Sequence, residues 1–346
     1  MNSLPEFQSV PLPWQIESWQ RSGTWLASGK LPHALMITGA AGTGKELFAR
    51  AFAALALCRH PESGRACGRC PSCHQFAAGA HPDYHFVTVP EDKTGILVEQ
   101  IRELARELVL TSQHGGRKIA VLSPADAMNV NAANSLLKTL EEPTAETLLM
   151  LVTARPARLP ATVRSRCQVL RVATPAADGS TQWLNSQETR NDWPALLGIA
   201  GGGPLMALQL AQNSLVQERL RFFQVLAELR SGRRNPVKYA AEASREPLPL
   251  VLRLLQSWVM DMITLATTLD AGEHPAIINS DALALLQSTI EGLNLRGLHA
   301  YLGRLNEAVA LAATPVNGQL LLENLLVEWA DGLQALGRAP LAARGG

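Results

Sequence analysis

The run Gly39-Ala40-Ala41-Gly42-Thr43-Gly44-Lys45 constrains this 346-residue chain more than any other stretch. It follows the apolar segment Ala34-Leu35-Met36-Ile37-Thr38 and opens a helical pattern from Glu46 to Cys58. Strand, glycine-rich turn, lysine and helix in that order make a P-loop. The glycines let the backbone turn tightly, so that its N–H groups can surround phosphate oxygens at the positive end of the helix. Lys45 then adds a point charge for the β/γ-phosphates. An ordinary glycine-rich strand–helix turn needs neither the lysine nor this spacing, so Gly39, Gly42, Gly44 and Lys45 are the candidate phosphate-binding residues.

Three positions around that loop depart from what hydrolysis needs. The residue after the lysine should be Ser or Thr, whose hydroxyl ligates Mg²⁺, and here it is Glu46. A carboxylate can hold magnesium through water, but beside phosphates it repels them. The second buried strand, Lys118 to Leu122, should end in acids that hold the metal and activate water, yet it runs into Ser123-Pro124. Asp126 lies beyond that point and reads as a turn or helix cap. The lysine is retained and the acids are not, which argues against an autonomous ATPase.

Strand candidates at 118–122, 147–153 and 168–172 alternate with helical patterns at 97–110 and 132–142, the latter stopped by Pro143. Such alternation predicts a parallel sheet covered on both faces. After Pro175 the strand signals stop. Residues 176–212 read as a small helical unit around the turn Gly201-Gly202-Gly203-Pro204. Amphipathic helices are predicted at 215–229, 248–269, 283–293, 297–311 and 319–336, with breaks at Gly232, Pro236, Pro247, Pro275 and Pro315 and a frayed tail from Arg338 to Gly346. Thirty-one Lys and Arg against 30 Asp and Glu leave a formal charge of +1, so no general electrostatic drive toward DNA or anionic membrane exists. No signal peptide and no membrane-spanning helix is expected.

Four of the five cysteines, Cys58, Cys67, Cys70 and Cys73, fall within sixteen residues at C-x8-C-x2-C-x2-C spacing, with Gly64 and Gly68 between them. In an intracellular chain such a cluster reads as metal ligands before disulfides. Four thiolates suit a closed, structural zinc, which is favoured over the iron–sulfur alternative that also uses four cysteines. His60, His74 and His81 lie near but are not counted as ligands. Cys167 stands apart and reads as buried filler.

Ser165-Arg166-Cys167 precedes the last strand of the α/β unit. An arginine at that edge can reach a phosphate in a neighbouring subunit and neutralise charge developing there. On spacing alone, a plain surface arginine is the commoner reading.

Together these pieces resemble the AAA+ subunits of the bacterial clamp loader of DNA polymerase III. The matching elements are the P-loop, the cysteine insertion behind its helix, the string Ala133-Asn134-Ser135-Leu136-Leu137-Lys138-Thr139-Leu140-Glu141-Glu142-Pro143, and Ser165-Arg166-Cys167. Gln319-Leu320-Leu321-Leu322-Glu323 looks like part of the family's collar, and the likeness runs essentially end to end. The resemblance implies an α/β AAA+ P-loop domain with a four-cysteine zinc module at 58–73 (residues 1–172), a small helical lid (173–212) and an all-α C-terminal collar that oligomerises (213–346). It makes Arg166 a trans-acting arginine finger and places Thr153 as the sensor-1 residue beside the phosphates. Gly203-Pro204-Leu205-Met206-Ala207-Leu208 offers no arginine at the lid's sensor-2 position.

Lost acids, a replaced hydroxyl and no lid arginine point to the family's delta-prime branch over its gamma/tau motors. The resemblance then implies structural Zn²⁺, weak or absent ATP/ADP binding, and no catalysis by the chain alone. It would be a cytoplasmic subunit of a DNA-directed DNA polymerase (nucleotidyltransferase) holoenzyme, in a hetero-oligomeric ring with delta and gamma/tau subunits. Through that ring it would reach the sliding clamp and primer–template DNA, with no membrane partner. The alternative is an active gamma/tau-type ATPase in which Glu46 or Asp126 replaces the missing groups. A P-loop kinase for a small nucleotide explains neither the cysteines nor the helical tail.

Overall fold

The computed structural model describes residues 10–91, 93–113, 116–268, 277–312, 314 and 316–333. The tail expected at 338–346 and the breaks at Pro275 and Pro315 lie outside the described residues. The chain divides into two compact units, one of Met1–Trp183 with Gly202–Met206, the other of Leu184–Gly201 with Ala207–Gly346.

The first unit holds one all-parallel sheet of β1 (Ala34–Thr38), β2 (Tyr84–Val87), β3 (Lys118–Leu122), β4 (Thr147–Thr153) and β5 (Gln168–Arg171), in the order β2-β3-β4-β1-β5. Strands β1, β3 and β4 are buried along their whole length, as continuous apolar runs in a two-faced sheet must be. Their side chains alternate between two cores. Leu35, Ile37, Ile119, Val121, Leu148 and Met150 join Trp19, Phe48 and Phe52 on one face. On the other face, Met36, Leu122, Leu149 and Leu151 meet Ile101, Leu104, Leu108, Leu136 and Leu140.

The first face is covered by α1 (Ile16–Ala27) and α2 (Lys45–Leu57), and α3 (Pro71–Ala77) follows within the cysteine segment. The second face carries α4 (Val98–Val109) and α5 (Val130–Glu141), with the short α6 (Ala161–Arg164) packed against α5. Helix α5 starts two residues before its predicted start because the Asn129 side chain caps it, accepting from the Ala132 N–H at 2.8 Å. The unit also contains most of α7 (Ala177–Gln187), whose Trp183 meets Trp14 edge-on with ring centroids 5.2 Å apart. Strand β1 lies between β4 and β5 and the chain crosses from it to β2 at the far edge, so the P-loop falls at the carboxyl ends of β1 and β4, where such sheets bind ligands.

The second unit is helical. It comprises α8 (Trp193–Ile199), most of α9 (Pro204–Ala211), α10 (Ser214–Gln217), α11 (Arg219–Arg230), α12 (Pro236–Ala243), α13 (Leu248–Thr268), α14 (Leu283–Ile290), α15 (Leu295–Leu311) and α16 (Gly318–Ala330). The single helix expected over 215–229 is two, parted at Glu218. Helix α13 is long and apolar enough by composition to cross a membrane, but 61% of its most apolar window is buried within the protein, which makes it a core helix. Trp258 on α13 stacks on Phe223 at 4.3 Å, and Trp329 on α16 donates from Nε1 to the Leu226 carbonyl at 2.8 Å. Arg230, whose guanidinium burial drives below its ordinary pKa, ends α11 over the Trp329 ring and donates to the Glu291 carbonyl just past α14.

Candidate functional site

The P-loop leaves β1 at Thr38 and enters α2 at Lys45, with Gly39, Gly42 and Gly44 at its turns. Its conformation is held from three sides. Inside the loop, Thr43 is fully buried and donates to the Ala40 carbonyl at 2.9 Å. The segment before α1 reaches over it: Trp14 Nε1 and Gln15 Nε2 both donate to the Thr43 carbonyl at 2.9 Å, and Gln15 also to Gly44 at 3.0 Å. From the third side, the Leu205 N–H donates to the Gly42 carbonyl at 3.0 Å. A side chain on Gly42, whose φ is 74°, would collide with Met206, and one on Gly203 would collide with the Ala41 carbonyl. Gly203 thus allows backbone to lie directly on the backbone of the P-loop.

Lys45 is 7% exposed and its Nζ donates to the Ala40 carbonyl at 2.6 Å. Burial brings its pKa down to about 8, against the opposing charge of Asp126. One of its three donors is therefore engaged by its own loop.

The two positions that hold magnesium in an active motor are in contact here, but with their residue types exchanged. Ser123, at the end of β3, donates from Oγ to Oε2 of Glu46 at 2.8 Å. The carboxylate sits on the loop side and the hydroxyl on the strand side, and a direct hydrogen bond joins them. Glu46 is engaged by Ser123 here, and Ser123-Pro124 puts no acid at the end of β3 to hold magnesium or activate water.

Asp126 is not a helix cap. It is buried in a single 3₁₀ turn, accepting from the Thr153 hydroxyl at 2.7 Å and pairing with Arg155 Nε at 2.9 Å. Thr153 ends β4 opposite Thr38 of β1, so it stands near the loop, but its hydroxyl points to Asp126.

The four cysteines come together. Cys58 follows α2, Cys70 caps α3 and Cys73 lies within it. The Sγ atoms of Cys58, Cys67, Cys70 and Cys73 all lie within 4.8 Å of one another, and those of Cys67 and Cys73 are 4.0 Å apart. Four thiolates around a tetrahedral zinc stand about 3.8 Å apart, given Zn–S bonds near 2.3 Å, so the cluster fits that ion with little adjustment. Burial pushes the Cys73 thiol up to about 12 and also raises Cys58. Burial acts against ionisation of Cys70 too, but hydrogen bonds from the Cys73 and Arg59 backbone outweigh it and bring that thiol down to about 6. A central cation would favour all four as thiolates. His81 is not a ligand: Nε2 meets the Ser72 hydroxyl at 2.9 Å, Nδ1 accepts from the Asp83 N–H, and Ser72 donates to the Leu57 carbonyl, which ties α3 to α2.

Arg166 lies just beyond α6. Its NH1 donates to the Thr162 carbonyl at 2.8 Å and its NH2 to Oε1 of Glu141 at 2.6 Å, with 36% of the side chain exposed. Cys167 packs against the second core and its thiol is pushed up to about 11 by burial, as inert filler should be. Sequence reasoning missed Trp14, Gln15 and Met206 as parts of the loop's surroundings. Only the glycine turn at 201–203 hinted at the last.

A family model described as "DNA polymerase III, delta subunit" matches residues 14–176, and one described as "DNA polymerase III, delta subunit, C terminal" matches 213–331. The chain is 34% identical over 324 residues to the DNA polymerase III subunit delta' of Pseudomonas aeruginosa, covering 92% of this chain and 97% of that one. It is 31% identical to the protein of the same name from Escherichia coli K12, covering 91% and 94%. A gamma subunit-related protein of Thermotoga maritima aligns over 92% of this chain and 100% of its own at 15% identity, with a TM-score of 0.45, a likeness too loose to carry detail.

Proposed function

This chain belongs to the delta-prime subunits of the bacterial DNA polymerase III clamp loader, and we propose that it works there as a non-hydrolysing member that completes a neighbour's ATP site. Family membership puts it in a complex with other clamp-loader subunits. The finer reading is that it holds a delta subunit on one side and presents Arg166 to a gamma/tau motor on the other, in the cytoplasm, helping to load the sliding clamp onto primed DNA. In this reading Gly39, Gly42, Gly44, Lys45 and Thr153 are remnants of a nucleotide site with weak or no binding. Zinc on Cys58, Cys67, Cys70 and Cys73 is structural, with no open position for chemistry. Residues 1–172, 173–212 and 213–346 serve as base, lid and collar.

The observation that carries the proposal is the hydrogen bond from Ser123 to Glu46, which ties up the carboxylate after the P-loop lysine with a residue that is not an acid. Arg166, partly exposed at the edge of the same unit, supports the second half. Titration of the purified chain with ATP and Mg²⁺, with hydrolysis and metal content measured on the same sample, tests it. No turnover and about one zinc per chain are expected. Turnover abolished by Lys45→Ala would establish the motor reading instead, and stoichiometric iron with visible absorption would overturn the zinc.

A further inference from the structure

Arg166 is anchored at two points that belong to different elements. The Thr162 carbonyl, one turn back on α6, takes NH1 at 2.8 Å, and Glu141, the last residue of α5, takes NH2 at 2.6 Å. Helices α5 and α6 pack on each other, so the carboxylate stands on a rigid support. Arg155 is differently placed: its partner Asp126 is buried and also holds the Thr153 hydroxyl, so that pair belongs to the core. Glu141 is about half exposed and has no second duty of that kind among the described residues.

We propose that Glu141 is a positioning residue for Arg166, fixing the guanidinium in the rotamer from which it meets the oxyanion of a partner-bound nucleoside triphosphate. The inference rests on the finger reading above and deepens it. A guanidinium carries five N–H donors. Thr162 and Glu141 engage one each, which leaves three for an incoming phosphate oxygen. An arginine side chain loses much rotamer freedom on binding, and a carboxylate that orders it beforehand removes most of that loss from the bound state. The bond needs reach as well as an acceptor oxygen. Gln keeps both, whereas Asp keeps the charge but is one methylene too short.

The test is steady-state ATP hydrolysis by the clamp-loader complex reconstituted with each variant, at varied ATP, with assembly followed by size exclusion. Arg166→Ala defines the part of the rate that depends on the finger. Glu141→Ala and Glu141→Asp are expected to lower kcat for that part by about three- to tenfold, with KM for ATP within about twofold. Glu141→Gln is expected to run near the parent rate. A parent rate or a faster one for Glu141→Ala would overturn the proposal, as would a Glu141→Gln complex as slow as Glu141→Ala. Failure of Glu141→Ala to assemble would mark a structural role and overturn it too. A parent rate for Arg166→Ala would instead sink the finger reading on which it rests.

Discussion

Lys45 and Arg166 belong to one compact unit, and each is a cation placed where a phosphate could meet it, yet they are held in opposite ways. Lys45 is 7% exposed as a residue, bonds to the carbonyl of its own loop, and sits under a segment whose backbone rests on Gly42. Arg166 keeps 36% of its side chain in solvent and pairs with a carboxylate that is itself half exposed. A buried cation satisfied by a neutral carbonyl lowers the stability of its surroundings and is hard to reach. An exposed one on an exchangeable partner remains available. The P-loop lysine is thus turned into its own loop, while the Arg166 guanidinium stays partly in solvent.

If that contrast is right, small changes at the loop should disturb folding and changes at the edge should not. Gly203→Ala forces a side chain into the Ala41 carbonyl and is expected to lower stability by about 2–4 kcal/mol in denaturant melts. Arg166→Ala should stay within about 0.5 kcal/mol of the parent. Equal losses at both sites would erase the distinction.

A smaller effect is expected at Lys45. Its folded pKa of about 8 lies below the unfolded value, so between pH 8 and about 10.4 the unfolded chain binds more protons and stability rises with pH. The penalty is fully present below pH 8. Lys45→Met should therefore gain on the order of 1–3 kcal/mol at neutral pH and lack the rise above it. A less stable Lys45→Met chain would mean that the ammonium holds the loop together.

Much of this was legible because it is local. The strand–loop–helix of the P-loop, the cysteine spacing and the three fully buried strands each declare themselves within a few residues. Strand β2 did not, because Tyr84-His85-Phe86-Val87 is a four-residue edge strand that is mostly half-buried and carries no apolar run. Helix α3 hid within a cysteine segment of seven helical residues. Several contacts that shape the site are long-range. Ser123 meets Glu46 across 77 residues, and Gln15 meets Thr43 across 28. Each partner looks ordinary by itself: a serine before a proline, a glutamate in a first helical turn, a lone glutamine among apolar neighbours. The turn reading of Asp126 holds, but its partners could not be foreseen, since only the fold brings Thr153 and Arg155 to it.

In the proposed function the chain's own nucleotide site is idle while its arginine acts on a neighbour's. ATP hydrolysis by the complex reconstituted with either Lys45→Ala or Arg166→Ala tests it most directly. Lys45→Ala is expected to leave turnover within about twofold of the parent. Arg166→Ala should slow the site it faces by on the order of a thousandfold, so that the whole complex loses that site's contribution while remaining assembled. The reverse pattern, with Lys45→Ala depressing turnover and Arg166→Ala leaving it intact, would contradict the account.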